Sequence, residues 1–416
     1  MFKQKKVTLL LRSATILVLI LLVACSPAAT ATIAAPTTAP VAPATVAPAT
    51  VAPATVAPAT AQPTVDTTPI VIGVAAPMTG SAADYGLQVT RGIQLAMDEI
   101  NAKGGVNGRT LTMKVCDDQC DPQQAAACAQ KFVSDSTIFA VLGHICSSCT
   151  LAGGPIYNAA GLTAMTVNSS NPTITEQGWK YIFRSTPTDA QQGVSIVDFA
   201  TKTLGVKKIA MIYSNDDYGL GLKQSATAEI TTAGANLVDT ETFITGQDKD
   251  FSSQLTKIAQ AKPDVLFILG QYAEDGLIAK QRVAAGLGTI PIVLPAGAQH
   301  QEFITLGGAG AEGAYVAVFY NLAKDTPDNQ ALIKKIADKY NGALPGEQVP
   351  WGYDGVYIFA QAIGMGATKD TMPQFLHKVD YTGLTGHITF DAKGQVLPIA
   401  GDIEVVKNGQ FVTYTP

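Results

Sequence analysis

From residue 69 onward the chain alternates short apolar runs with longer amphipathic stretches. Pro69-Ile70-Val71-Ile72-Gly73-Val74-Ala75 is continuously apolar, the pattern of a parallel strand buried on both faces. Tyr85 to Lys103 has helical periodicity, with Leu87, Ile93, Met97 and Ile100 sharing a broad face, and Gly104-Gly105 ends it. Leu111–Val115 predicts a second strand. Asp121-Pro122 supplies an N-cap and a first-turn proline for a helix to about Asp135. Ile138–Leu142 predicts a third strand and Leu151–Ala160 a helix. The rhythm resumes with strands at Lys208–Tyr213, Ala235–Thr240, Asp264–Leu269 and Ile292–Leu294. Helices at Gly221–Ala233, Phe251–Ala261 and Gly276–Ala285 lie between them. Repeated βα units in two series predict an α/β protein of two doubly wound parallel-sheet lobes. In such folds ligands sit beyond the carboxyl ends of the strands.

The N-terminus carries a different pattern. Lys3, Lys5, Lys6 and Arg12 precede a short apolar run from Ala14 to Ala24, which predicts a signal peptide over residues 1–24. Leu22-Val23-Ala24-Cys25 matches a bacterial lipobox, so Cys25 is expected to become a lipidated N-terminus anchored to the bacterial cell membrane. Residues 25–68 are rich in Ala, Pro, Thr and Val, with VAPAT repeated in register from Val41 to Thr60. No large side chains are present to bury, and prolines lack the N–H that regular structure needs. The segment reads as an extended tether.

Composition narrows the field. About 350 of the 416 residues remain to fold, enough for two cores. The net charge is -5, and no Lys/Arg cluster occurs beyond the first dozen residues, so nucleic acid is not an expected partner. The sequence has no GxSxG elbow, Walker loop, HExxH or dinucleotide fingerprint. The four histidines, His144, His300, His377 and His387, are scattered. No enzyme, cofactor or metal is expected.

Five cysteines follow Cys25: Cys116, Cys120, Cys128, Cys146 and Cys149. Export favours disulfides. A zinc site on Cys146-Ser-Ser-Cys149 with His144 is the weaker alternative, because oxidation competes with thiolate ligation outside the cytoplasm.

The predicted strand ends carry polar, hydroxyl-rich loops, and such loops at helix N-termini bind carboxylates. Several of these segments are distinctive together: Asp84-Tyr85-Gly86, Asp98 to Gly105, Asp117 to Pro122, Gly143 to Ser148, Tyr218-Gly219 and Ala284-Ala285-Gly286. On them the chain, over Ile70–Pro416, resembles the branched-chain amino-acid (Leu/Ile/Val) binding proteins of ABC importers, which have the type I periplasmic-binding-protein fold. The resemblance implies an extracytoplasmic subunit that captures an amino acid or related small carboxylate and partners permease subunits. A ligand-sensing receptor of the same fold is the alternative.

It also implies lobes at 69–188 plus 320–390 and 189–319 plus 391–416. Three hinge strands would join them, near 188–190, 318–320 and 388–392. Ser147, with Ile145 and Cys146 beside it, would bind the ligand carboxylate. Ser170, next to Ser169, would bridge carboxylate and ammonium, and Asn168 would offer a carbonyl. Tyr85 and Tyr218 would close over the ligand, and Cys120 would pair with Cys146. One extra disulfide is then possible among Cys116, Cys128 and Cys149. The family's acidic ammonium partner is replaced by Ala296, a second aromatic by Gln271, and a pocket aromatic by Val349. Asp189, Glu274 and Asp354 are candidates for the missing acid. An aromatic or other non-amino carboxylate therefore competes with an amino acid as ligand.

Overall fold

A computed structural model of the protein describes residues Asp66–Pro416. The N-terminal apolar run, Cys25 and the VAPAT repeats lie outside these residues. Among the described residues no helix is long and apolar enough to cross a membrane.

The first sheet is built from β1 (Ile70–Ala76), β2 (Leu111–Asp117), β3 (Ile138–Gly143), β4 (Ala164–Thr166) and β5 (Ile182–Arg184), in the order β2-β1-β3-β4-β5. All pairs are parallel. Between these strands run α1 (Ala83–Ala102), α2 (Pro122–Ser134) and α3 (Ser147–Ala160). Position in the sheet explains the residue pattern. The inner strand β3 is buried at every residue, whereas the edge strand β2 is fully buried only at Leu111. The Asp121 carboxylate caps α2 by accepting from the Gln123 and Gln124 N–H groups. Helix α1 buries Val89, Ile93, Met97 and Ile100 but leaves Leu87 39% exposed. That helix turns Tyr85 inward, one turn ahead of Val89, and Leu87 falls on the opposite side.

After α4 (Asp189–Asp198) the chain builds β6 (Lys208–Ser214), α5 (Asp217–Thr232), β7 (Asn236–Phe243), α6 (Ser252–Ala261), β8 (Val265–Leu269), α7 (Tyr272–Gln281), β9 (Ile292–Leu294), α8 (Gln301–Gly307) and β10 (Tyr315–Val318). It then passes through α9 (Pro327–Lys339), α10 (Gln348–Gly364), α11 (Met372–Leu376) and the hairpin β11 (Tyr381–Gly383)–β12 (Gly386–Ile388). Finally β13 (Asp402–Lys407) and β14 (Gln410–Thr413) complete a seven-stranded sheet, ordered β14-β13-β10-β9-β8-β6-β7. The last two strands are antiparallel, unlike the purely parallel sheet expected. β13 and β14 are separated by a two-residue turn and can pair only through a hairpin, and β13 itself lies antiparallel to β10.

Helix α10 returns to the first sheet and packs against α1. The approach is close enough to require glycine on both helices. A Cβ on Gly92 would lie 2.0 Å from the Val349 carbonyl oxygen, and one on Gly352 would lie 2.4 Å from that of Val89. This glycine contact fixes the start of α10, and therefore Glu347 and Gln348, relative to the strand ends of the first sheet.

Candidate functional site

Loops at the carboxyl ends of both sheets enclose a cavity of about 580 Å³, including the open solvent at its mouth. The first sheet contributes Tyr85 after β1, Ile145, Cys146 and Ser147 after β3, and Asn168, Ser169 and Ser170 after β4. Thr186 and Pro187 follow β5. The second sheet contributes Tyr218 after β6, Gln271 after β8, Ala296 and Gly297 after β9, and Phe319 after β10. Gln192 of α4 and the pair Glu347 and Gln348 at the start of α10 complete the wall. Of the residues expected at the site, Tyr85, Ile145 to Ser147, Asn168 to Ser170, Tyr218, Gln271 and Ala296 line this cavity, and Asp189, Glu274, Val349 and Asp354 do not.

Ser147 is the first residue of α3 and is 2% exposed, and its Oγ accepts from the Asn171 N–H at 3.3 Å. The free N–H groups of this helix end, with the macrodipole, make an anion-favouring corner. The surrounding loops are held by hydroxyls that converge on the His144 carbonyl: Thr166 at 2.6 Å, Ser169 at 3.1 Å and Thr150 at 3.2 Å. Ser169 thus spends its hydroxyl on the scaffold. The Asn168 side chain donates to the Ile145 carbonyl at 3.3 Å. The His144 ring is itself buried, 2.7 Å from Asp118 and 3.2 Å from the Tyr157 hydroxyl.

Two disulfides brace this region. Cys120–Cys146 ties the loop after β2 to the residue before Ser147, and Cys116–Cys128 joins β2 to α2. Cys149 is free and buried. Cys146 therefore cannot offer a thiolate to zinc, and no metal-ligating cluster of three groups occurs among the described residues.

The two sides of the cleft meet on the Gly297 peptide. The Tyr85 hydroxyl donates to its carbonyl, and the Tyr218 hydroxyl accepts from its N–H at 3.3 Å. Burial pushes both phenols well above their ordinary pKa, so both stay protonated donors. The Tyr272 hydroxyl donates to the Ser81 carbonyl at 2.8 Å, and the Asp217 N–H donates to Ser148 Oγ at 3.1 Å.

At Ala296 the backbone N–H donates to Gln192 Oε1 at 3.2 Å. Gln192 Nε2 donates in turn to Asp189 Oδ1 at 3.4 Å, which sets Asp189 behind the cavity wall. Its own N–H donates to the Ser170 carbonyl at 2.9 Å. Burial pushes the Asp189 carboxyl up to about 7, against Ser170 and Arg184. The other two candidate acids are engaged elsewhere. Glu274 accepts from the Gly246 N–H and from Lys249. Asp354 accepts from Tyr381, Leu384 and Thr385. Val349 is buried within α10 and is not among the lining residues.

The lining residues not foreseen are Thr186, Pro187, Gln192, Gly297, Phe319, Glu347 and Gln348. Phe319 directly follows the four-residue strand β10, which the sequence pattern does not mark. Glu347 and Gln348 follow a Gly/Pro-containing loop with no strand before them, so no local signal marks them.

Two α/β units enclosing a cavity at their strand ends define a cleft-type solute-binding protein. Comparison with known proteins makes the family specific. Residues 69–402 match the periplasmic binding protein family, and the chain belongs to it. It is 33% identical over 332 residues to the amino acid binding protein of Pseudomonas aeruginosa, covering 79% of this chain and 87% of that one. It is 32% identical over 347 residues to the leucine-, isoleucine-, valine-, threonine- and alanine-binding protein of the same organism, covering 83% and 89%. Among solved structures it resembles the branched-chain amino acid transporter substrate binding protein LivJ of Streptococcus pneumoniae in complex with isoleucine. That match has a TM-score of 0.77 and 28% identity, covering 84% of this chain and 100% of that one.

Proposed function

We propose that this protein is the extracytoplasmic solute-binding subunit of an ABC importer and that it captures a small carboxylate, foremost an amino acid, between its two lobes. The observation that carries the reading is the neutral, donor-rich corner at Ser147 and Ser170, on the N-terminus of α3 and the loop after β4. A carboxylate placed there is held by hydroxyl and N–H groups without a basic side chain. The relatives named for amino acids and for leucine, isoleucine and valine support the same ligand class.

Capture works by closure. Residues 69–188 plus 320–390 form one lobe and 189–319 plus 391–416 the other, joined by three crossings. Ligand held by the Ser147 corner adds contacts to Tyr218, Gln271 and the Gly297 peptide of the opposite side. Only a ligand that favours the closed form shifts the population toward it. The closed form then presents both lobes to permease subunits. Lipidated Cys25 and the tether over residues 25–68 keep the binding unit at the membrane.

The test is a thermal-shift screen with calorimetric follow-up, covering amino acids, aromatic acids and small neutral amides. Stabilisation by carboxylates and not by the matched amides is the expected result. Binding confined to the amides would overturn the reading.

A further inference from the structure

Glu347 occupies the N-cap position of α10 and is 5% exposed. Its side chain makes no capping hydrogen bond. It lines the cavity, where it is the only carboxylic acid, and no Lys, Arg or His accompanies it. Its electrostatic neighbours are the Glu404 carboxylate, which opposes its charge, and the Trp351 indole, which favours it. No basic group contributes. A buried acid with only a neutral indole as partner and no cation beside it costs stability, and such groups persist where function needs them.

Its placement is enforced. The Gly92–Val349 and Gly352–Val89 contacts clamp α10 onto α1, and that clamp sets residue 347 at the cavity wall. A negative charge on Glu347 is felt by the Tyr218 hydroxyl, across the cleft. The cavity is therefore polarised. Neutral donors and a helix N-terminus lie at Ser147 and Ser170, and a lone acid lies at Glu347. At Ala296, by contrast, the wall offers only a methyl group, with its N–H already given to Gln192.

We propose that Glu347 is the specificity-determining partner for a cationic amine on the ligand, so that the protein selects carboxylates that also carry an ammonium group over amine-free carboxylates. The inference rests on the carboxylate-binding reading above and narrows it. A ligand with an amine brings the cationic partner that the Glu347 carboxylate lacks within the protein. A ligand with only a carboxylate brings a second negative charge into a cavity whose sole acid has no cation beside it, and the acid must then stay protonated.

The test is calorimetric titration of the full-length protein with matched pairs: L-leucine against 4-methylpentanoate, and L-phenylalanine against 3-phenylpropanoate. In the wild type the amine-bearing member of the better-bound pair should bind about tenfold or more tightly than its amine-free partner. Glu347→Gln should remove most of that ratio by weakening the amine-bearing member, leaving the amine-free one within about twofold. Glu347→Asp should keep part of the preference.

A wild-type protein that binds the amine-free member as tightly would overturn the inference without any variant. So would a Glu347→Gln protein whose ratio is unchanged. Binding of neither member of either pair, with binding of neutral amides instead, would overturn the carboxylate reading and this inference with it.

Discussion

The His300 imidazole, on the N-cap residue of α8, lies 2.5 Å from the Asp84 carboxylate in the first turn of α1. A group beyond β9 thereby clasps a group beyond β1 at the rim of the cleft. Tyr272 stacks on the His300 ring at 4.1 Å and reaches across to the Ser81 carbonyl. Burial disfavours the Asp84 charge, but hydrogen bonds from His300 and Gln88 outweigh it and hold the carboxyl below its ordinary pKa. Asp84→Asn and His300→Gln should each shift the lobes toward the open form. The contact is partly solvated, so the loss is about 0.2–1 kcal/mol, a few-fold in affinity. Small-angle scattering should show a larger radius of gyration in the variants without ligand, and the wild-type value restored at saturation.

Ser147→Ala removes one hydroxyl from the carboxylate corner without touching the core of α3. Affinity for carboxylate ligands should fall by about tenfold, or about 1.4 kcal/mol, and the free protein should melt at a slightly lower temperature but stay folded, because the buried Asn171 N–H loses its acceptor. Calorimetry on the two proteins decides this. Equal affinity would remove Ser147 from the site.

The cysteine pairing predicts one free thiol after Cys25, at the buried Cys149. Under denaturing, non-reducing conditions a Cys25→Ser protein should show one thiol, and adding Cys149→Ser should leave none. Reduction should destabilise the fold by several kcal/mol, because two loops lose their closure. Cys120–Cys146 should matter more for binding, since it braces the residue before Ser147.

Stability should fall as pH rises from acid toward neutral. Burial pushes Glu404 up to about 7, helped by Asp402 and opposed by Gln299 and the Ala323 N–H. A carboxyl whose folded pKa exceeds its unfolded value binds its proton more tightly when folded. Its contribution is complete below the unfolded value near 4.5 and is lost as pH passes the folded value. Asp189 acts in the same direction. Glu404→Gln should flatten this part of the melting-temperature profile.

Lipidation is checked by metabolic labelling with a fatty-acid analogue. Label should enter the wild-type protein and disappear in Cys25→Ser. Label retained in the variant would place the modification elsewhere.

Much of the architecture is legible in local patterns. The buried strands announce themselves because a strand covered on both faces must be apolar throughout, as β3 and β8 are. Helix starts are less visible. Helices α3 and α7 begin four residues before the expected positions, at Ser147 and Tyr272. Their first turns carry Ser, Cys, Glu and Asp in place of the apolar periodicity that marks a helix on a core. The short strands β4, β5 and β10 and the helix α4 leave too few periodic residues to be read.

The sequence by itself determined the two series of βα units, the loops that carry the polar groups and the family to which these motifs belong. Those features are local: each depends on residues within one element or one turn. Only the tertiary structure decided which acid faces the cavity. Asp189, Glu274, Glu347 and Asp354 are all buried acids in the same chain. Three of them turn to Gln192, to Lys249, or to the loop after β11. Glu347 reaches the site because two glycines let α10 lie against α1. Contacts between segments more than 250 residues apart leave no trace in the local pattern of either one.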